Sequence, residues 1–120
     1  MLQARLIDDF KGSSALLFWG DNVGMAAMLQ HLRALDEGQS VVRVGDGENT
    51  VEIILSGLSD RSHIQAGEGV SWECSAETLR KTAERIVPLL NSTGHQYIDA
   101  DGWADEVVIS ANEYPEDFWR

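Results

Sequence analysis

The chain has 120 residues, of which 43% are apolar and 24% charged, a composition typical of one globular domain rather than of a disordered segment. Twenty acidic residues against nine basic ones give a net charge of −11. Because this charge repels phosphate backbones and anionic lipid surfaces, we expect neither nucleic-acid nor membrane binding.

The N-terminal residues and the cysteine content predict a reducing compartment. Asp8 and Asp9 lie where a signal peptide would carry apolar residues, and no later stretch reaches the length of a membrane span. Cys74 is the one cysteine and has no internal partner for a disulfide. We therefore expect a cytoplasmic protein in which residues 1–120 form a single domain.

The first half of the chain predicts a strand, a helix and two further strands. Asp21 is a typical helix N-cap, and Glu37 and Gly38 form a C-cap signal. The residues between these two signals are apolar at helical spacing: Met25, Met28, Leu29, Leu32 and Leu35. We interpret this stripe as core. Runs rich in β-branched residues predict strands over 15–19, 41–44 and 51–55.

The second half repeats this order. A strand over 70–73 precedes a helix that begins after Ser75, ends near Pro88 and has one apolar face, consisting of Leu79, Ala83, Ile86, Val87 and Leu90. Its exposed side places Glu77 with Lys81, and Arg80 with Glu84, four residues apart. Strands over 96–99 and 106–110 follow. The polar, glycine-bearing stretch 57–69 is predicted to connect the halves.

The two halves, about 14–56 and 70–111, therefore resemble a βαββ pseudo-repeat. Trp19 and Trp72 each precede a helix, and the pair Asp46–Gly47 corresponds to Asp101–Gly102. The prediction is an α+β domain with a mostly antiparallel sheet of about six strands and two helices on one face. The opposite face of that sheet is the first place to look for function.

The acidic stretch 99–106 suggests a calcium loop, but its spacing does not fit one. Asp99 and Asp101 match the first two ligand positions of an EF-hand, whereas the glycine falls at the fourth position instead of the sixth and a β-run follows. An Asp-Gly pair between two apolar runs instead predicts a hairpin turn. We expect no metal site here or elsewhere in the chain.

Cys74 is the one candidate nucleophile with a local rationale. It immediately precedes the N-cap of the second helix, where the helix dipole favours a thiolate, and His63 or His95 could supply a base. No catalytic or cofactor motif accompanies it, so we expect no cofactor and interpret the thiol as structural. An enzyme or small-ligand binder that uses the open sheet face around Cys74, His95 and Tyr97 stays open as an alternative.

The C-terminal region concentrates charge and aromatic side chains. From Asp99 onward there are seven acidic residues and one basic residue. Carboxylates can steer a basic protein toward the surface, and aromatic rings can supply buried contact area. The partner-binding residues predicted on this basis are Asp99, Asp101, Asp105, Glu113, Tyr114, Glu116, Asp117, Phe118 and Trp119.

Three segments carry a resemblance to known proteins: LLFWGDNVGMAAMLQHL, GHQYID and VVISANEYPEDF. They resemble a group of small acidic bacterial α+β proteins of unassigned function, among them immunity proteins of bacterial toxin systems. The resemblance implies a non-enzymatic inhibitor that binds a basic protein partner, such as a cognate toxin, in the cytoplasm. It assigns no site residues. A homodimeric assembly protein, joined through the open sheet face or a strand edge, is a further alternative.

Overall fold

The computed structural model describes residues 1–10, 12–47 and 49–115. Two helices, α1 (Asn22–Asp36) and α2 (Ala76–Ile86), and a 3-10 turn at Val87–Leu89 lie in this part of the chain. The strands, in chain order, are β1 (Leu2–Phe10), β2 (Ser13–Gly20), β3 (Val41–Asp46), β4 (Asn49–Ser56), β5 (Ser62–Ala66), β6 (Val70–Ser75), β7 (Gly94–Asp99), β8 (Asp101–Gly102) and β9 (Glu106–Ala111). Neither helix is long and apolar enough to cross a membrane.

The strands form two mixed sheets, so the α+β class is confirmed and the single, mostly antiparallel six-stranded sheet is wrong. The four-stranded sheet has the order β1-β2-β9-β7, and the five-stranded sheet has the order β3-β4-β6-β5-β8. β2 is parallel to β9, and β4 is parallel to β6.

The predicted strands are all present, but β1, β5 and β8 were missed. β5 lies within the segment 57–69, and Ile64 is its one fully buried apolar residue.

Each sheet combines strands from both halves of the chain. β2 precedes α1 and pairs with β9, which follows α2, whereas β6 precedes α2 and pairs with β4, which follows α1. The same backbone bond occurs before each helix: Asp21 N–H donates to the Met1 carbonyl, and Ser75 N–H to the Arg61 carbonyl. The two sheets therefore share one arrangement, in which the strand before one helix pairs with a strand that follows the other helix.

The central core is formed by one face of each sheet together with the apolar sides of both helices. The five predicted apolar residues of α1 are all buried there. The rings of Phe18 and Trp72 meet in this core, with centroids 6.1 Å apart. Trp19 faces the other side of its sheet, because successive strand residues point to opposite faces. Phe18, rather than Trp19, is thus the counterpart of Trp72.

A smaller apolar cluster lies on the outer face of the four-stranded sheet. Its buried members are Ile7, Ala15, Leu17, Trp19 and Val108. The chain passes close to this cluster after β9, where the Trp19 indole N–H donates to the Pro115 carbonyl at 3.0 Å. The outer face of the five-stranded sheet is different, since it carries ion pairs between Arg43 and Glu52 and between Arg61 and Glu73.

The end of α2 corrects two local predictions. Val87 is 49% exposed rather than buried, because Pro88 lacks the amide donor of a continuing α-helix and the chain tightens into the 3-10 turn. The two predicted ion pairs within α2 are not among the ion pairs of the described residues. Arg80 instead reaches across to Asp36 of α1, with an N–O distance of 3.1 Å.

Both predicted helix N-caps are confirmed. The Ser75 hydroxyl accepts from the Thr78 amide at 3.1 Å, and the Asp21 carboxylate accepts from the Gly24 amide at 2.9 Å. The Gly24 hydrogen bond, followed by a hydrogen bond from the Met1 ammonium group, holds the pKa of Asp21 below its ordinary value of 3.8. The cap therefore stabilises the fold mainly in its ionised form.

Asp21→Ala is expected to lower the free energy of unfolding by about 1 kcal/mol near neutral pH, because the first turn of α1 loses its acceptor. Since the folded-state pKa of Asp21 is lowered, its contribution is present above the ordinary pKa and is lost as the pH falls through the folded value. Urea unfolding should therefore show a smaller difference between wild type and variant below about pH 4.

Glu84→Ala, on the exposed side of α2, is the control and should change stability by less than about 0.5 kcal/mol. A penalty for Asp21→Ala that stays constant from neutral pH down to about pH 3 would contradict the lowered pKa.

Candidate functional site

The acidic stretch is a hairpin of β7 and β9 closed by residues 100–105. Asp99 lies opposite Glu106 at the closed end, and the Ala100 amide donates to the Asp105 carbonyl at 3.0 Å. The prediction that Asp101–Gly102 forms a tight turn is wrong. These two residues form β8, which runs parallel to His63 and Ile64 of β5. The corresponding Asp46–Gly47 pair does lie at the β3–β4 hairpin, where Gly47 has φ 58°.

Backbone contacts hold the loop 100–105 against the edge of the five-stranded sheet. Gly102 has φ 93°, and a Cβ atom placed there would lie 2.2 Å from the Ile64 carbonyl oxygen. The same carbonyl accepts from the Trp103 amide at 2.9 Å, and Ala104 is buried in the central core. The Ser62 hydroxyl adds a bond to the Asp99 carbonyl at 2.7 Å. The loop is therefore fixed at both ends and in its middle.

Four carboxylates surround this loop and define what we call the closed-end acidic surface: Asp99, Asp101, Asp105 and Glu106. The first three are exposed residues, and the Asp101 side chain is 74% exposed. Within the described part of the chain, no Lys or Arg forms an ion pair with any of the four. Asp101 contacts one weak base, with 2.5 Å between its Oδ1 and His63 Nδ1. The surface is thus strongly negative and largely uncompensated.

Two exposed aromatic side chains accompany the carboxylates. Trp103 is 39% exposed and lies two residues from both Asp101 and Asp105. Tyr97 is 38% exposed on β7, where its ring packs edge-on against His95 with centroids 5.2 Å apart. Trp103 is an exposed aromatic side chain beside the carboxylates that the sequence analysis did not single out as a candidate site residue. The signal was its place between two aspartates in a segment with no apolar periodicity of its own.

The remaining predicted partner residues lie elsewhere. Glu113 lies at the open end of the hairpin, where it accepts from Ser110 Oγ at 2.5 Å and contacts His95 Nδ1 at 3.1 Å. His95 and Asp99 lie at opposite ends of β7, about 13 Å apart along the strand. Tyr114 is half-buried against the outer apolar cluster. Glu116, Asp117, Phe118 and Trp119 lie outside the described residues, so their role stays a prediction.

The structure separates Cys74 from His95, so the catalytic pair suggested by the sequence is wrong. Cys74 is fully buried in the central core, and its thiol donates to the Trp72 carbonyl at 3.9 Å. Burial, together with the nearby charge of Glu73, raises the pKa of the thiol to about 12. His95 lies on the outer side of the four-stranded sheet. The helix dipole cannot generate a thiolate at a site this dry.

The other candidate ligand sites in the described part of the chain have less structural support. The described residues contain no group of three or more histidine, cysteine or acidic side chains placed to hold a metal ion. An open cavity of about 470 Å³ lies between the ends of β4 and β6 and the start of α2. Two hydroxyls in its lining are already engaged, since Ser56 accepts from the Leu58 amide and Ser75 caps α2. A small-ligand role for this cavity gains no support from its lining.

Comparison of the chain with protein-family models, with curated proteins and with solved structures finds no significant match. The proposed function is therefore based on the geometry and charge of the closed-end acidic surface.

Cys74 is expected to resist iodoacetamide in the folded protein between about pH 7 and pH 8, because the thiol is buried and its pKa is raised. Labelling should reach completion only after unfolding in guanidinium chloride, which serves as the positive control. Mass spectrometry of the native protein follows the reaction. Rapid labelling under native conditions would show that Cys74 is an accessible thiolate and would restore the enzyme alternative.

Gly102→Ala is expected to destabilise the fold by about 2 kcal/mol, since the added Cβ would meet the Ile64 carbonyl and the backbone has a positive φ. Gly67→Ala is the matched control, because nothing lies within 4 Å of the added methyl group. Denaturant unfolding of both variants measures the difference. Equal stability of the two variants would mean that β8 does not pair with β5 as described.

Proposed function

We propose that this protein is a non-enzymatic binding domain whose closed-end acidic surface holds a basic protein partner. The observation that carries the proposal is the set of four carboxylates, none of them paired with Lys or Arg among the described residues, next to an exposed Trp103 whose backbone amide is bonded to Ile64. Carboxylates of this kind steer a basic partner during encounter, and an aromatic ring on a well-held backbone gives contact area.

The finer proposal is an immunity-type inhibitor that blocks a cognate toxin by occlusion. It is supported by the resemblance of three segments to such proteins, by the charge of −11 and by the burial of Cys74 in the core. In this arrangement the carboxylates contact the basic residues of the toxin and Trp103 packs into its surface. Tyr97 on β7 lies next along the same hairpin and extends the proposed contact, whereas the roles of Glu116, Asp117, Phe118 and Trp119 stay predictions from the sequence.

The proposal is tested with the basic proteins encoded beside the gene, a toxin-like product above all. Calorimetric titration at low and high salt measures the affinity for each candidate, and co-expression measures protection from toxicity. A cognate partner is expected to bind more weakly as salt rises, since the attraction is between exposed charges. Binding that is indifferent to salt, or that persists in the double variant Asp99→Asn/Asp105→Asn, would contradict a role for the acidic surface.

Trp103→Ala is expected to weaken binding to that partner by about tenfold or more, because a central aromatic anchor is lost. Its control is Val41→Ala, which removes a comparably exposed apolar side chain from β3, at the opposite edge of the five-stranded sheet from β8. Both variants should retain wild-type unfolding curves. A loss of affinity caused equally by Val41→Ala and Trp103→Ala would place the contact on another face.

A further inference from the structure

His63 is the one basic side chain in contact with the closed-end acidic surface among the described residues. The parallel pairing of β5 with β8 sets His63 beside Asp101 and brings Nδ1 to 2.5 Å from Oδ1. An ionised carboxylate can only accept a hydrogen bond, so Nδ1 carries the hydrogen whenever Asp101 is ionised. The other ring nitrogen is then the position that takes up a second proton.

The remaining charged groups around His63 already have partners. Glu73 lies opposite His63 on the neighbouring strand β6, and it accepts from Arg61 Nε at 2.9 Å. Arg61 precedes β5 and is the nearest cation along the chain. Because Glu73 and Arg61 largely compensate each other, Asp101 is the carboxylate whose charge a proton on His63 would offset.

We propose that His63 is a pH-sensitive charge switch, which weakens the hold of the acidic surface on a basic partner as its ring becomes protonated. This inference rests on the proposed function. With a neutral ring, the pair of His63 and Asp101 carries one negative charge. With a protonated ring, the pair is neutral and the Asp101 carboxylate is engaged in a charge-assisted bond. The surface then presents three net negative charges in place of four.

The direction of the effect follows from the ordinary titration ranges of the side chains. Histidine takes up its proton around pH 6.5, whereas aspartate and glutamate stay ionised until the pH approaches about 4. Lysine and arginine of the partner keep their charge throughout. Histidine is therefore the side-chain type of this surface that serves as a switch near physiological pH, and a proton on His63 weakens binding as the pH falls.

His95 provides a matched control in the same molecule. It also contacts a carboxylate through Nδ1, but that carboxylate is Glu113 at the open end of the hairpin. The groups around it are the Tyr97 ring and Ser110 on β9, and Arg85 of α2 binds the nearby Tyr97 carbonyl. A proton on His95 therefore changes the charge about 13 Å from the acidic surface, beyond a Debye length at physiological salt.

The test uses hexalysine as the probe, because its ammonium groups keep their charge over the whole range. Binding to wild type, His63→Gln and His95→Gln is measured by fluorescence anisotropy of a labelled peptide at constant physiological ionic strength, where the charge on His95 is screened from the acidic surface. Wild type is expected to bind about two- to fivefold more weakly at about pH 5.5 than at about pH 8. His63→Gln should bind equally at both pH values, and His95→Gln should keep the wild-type dependence.

Two results would overturn the switch: a wild-type pH dependence in His63→Gln, or its loss in His95→Gln alone. Failure of the proposed function looks different, since hexalysine would then not bind wild type at about pH 8, or Asp99→Asn/Asp105→Asn would bind it equally well. In that case long-range nitrogen NMR still tests the contact between His63 and Asp101, because it does not require a bound partner. At about pH 8 it should find the His63 hydrogen on Nδ1 in wild type but not in Asp101→Ala, which removes the acceptor, and a hydrogen on Nε2 in wild type would refute the coupling.

Discussion

Parallel pairing between the two halves of the chain is the constraint on which this structure depends. β2 binds β9 and β4 binds β6, so the inner strand of each half finds its neighbour in the other half. The register places Leu16 opposite Val107 and Val51 opposite Val70, which points apolar side chains from both sheets into one core. A parallel pair needs a partner from a distant segment, so both sheets draw strands from both halves of the chain.

The same pairing decides where the acidic hairpin lies. With β9 inside the four-stranded sheet, β7 becomes an edge strand, and the loop after it reaches the edge of the other sheet at β5. The carbonyls along this edge are covered, since Arg85 donates to Tyr97 and Ser62 donates to Asp99. An edge protected in this way resists the addition of a foreign strand. Recognition by this hairpin is thus expected to use side chains, namely the carboxylates and Trp103, rather than strand addition.

The carboxylates make this surface negative and also lower the stability of the folded state. Carboxylates gathered without cations repel one another and weaken the folded state, so a negative cluster is typical of selection for something other than stability. The anchoring of the loop by Gly102, Trp103 and Ala104 keeps the cluster in one geometry despite that repulsion. His63 contacts Asp101 at its edge. The Cys74 thiol is buried in the central core and is not part of this surface.

Local sequence determined the helices and most of the strands. The caps at Asp21 and Ser75 and the apolar stripe of α1 act within a few residues, so their signals are readable along the chain. Tertiary structure decided the rest. The division into two sheets and the bridging role of Asp101–Gly102 depend on pairings between segments far apart in the chain, such as β2 with β9 and Gly102 with Ile64, and the short strand β5 gains Asp101–Gly102 as its second neighbour. An Asp-Gly pair has the same local preference in a tight turn and in β8, and only the approach of the Ile64 carbonyl selects between them. For the same reason the sequence identified the candidate carboxylates but not their positions. In the folded chain one group of them lies around Trp103, whereas Glu113 contacts His95 at the other end of the hairpin.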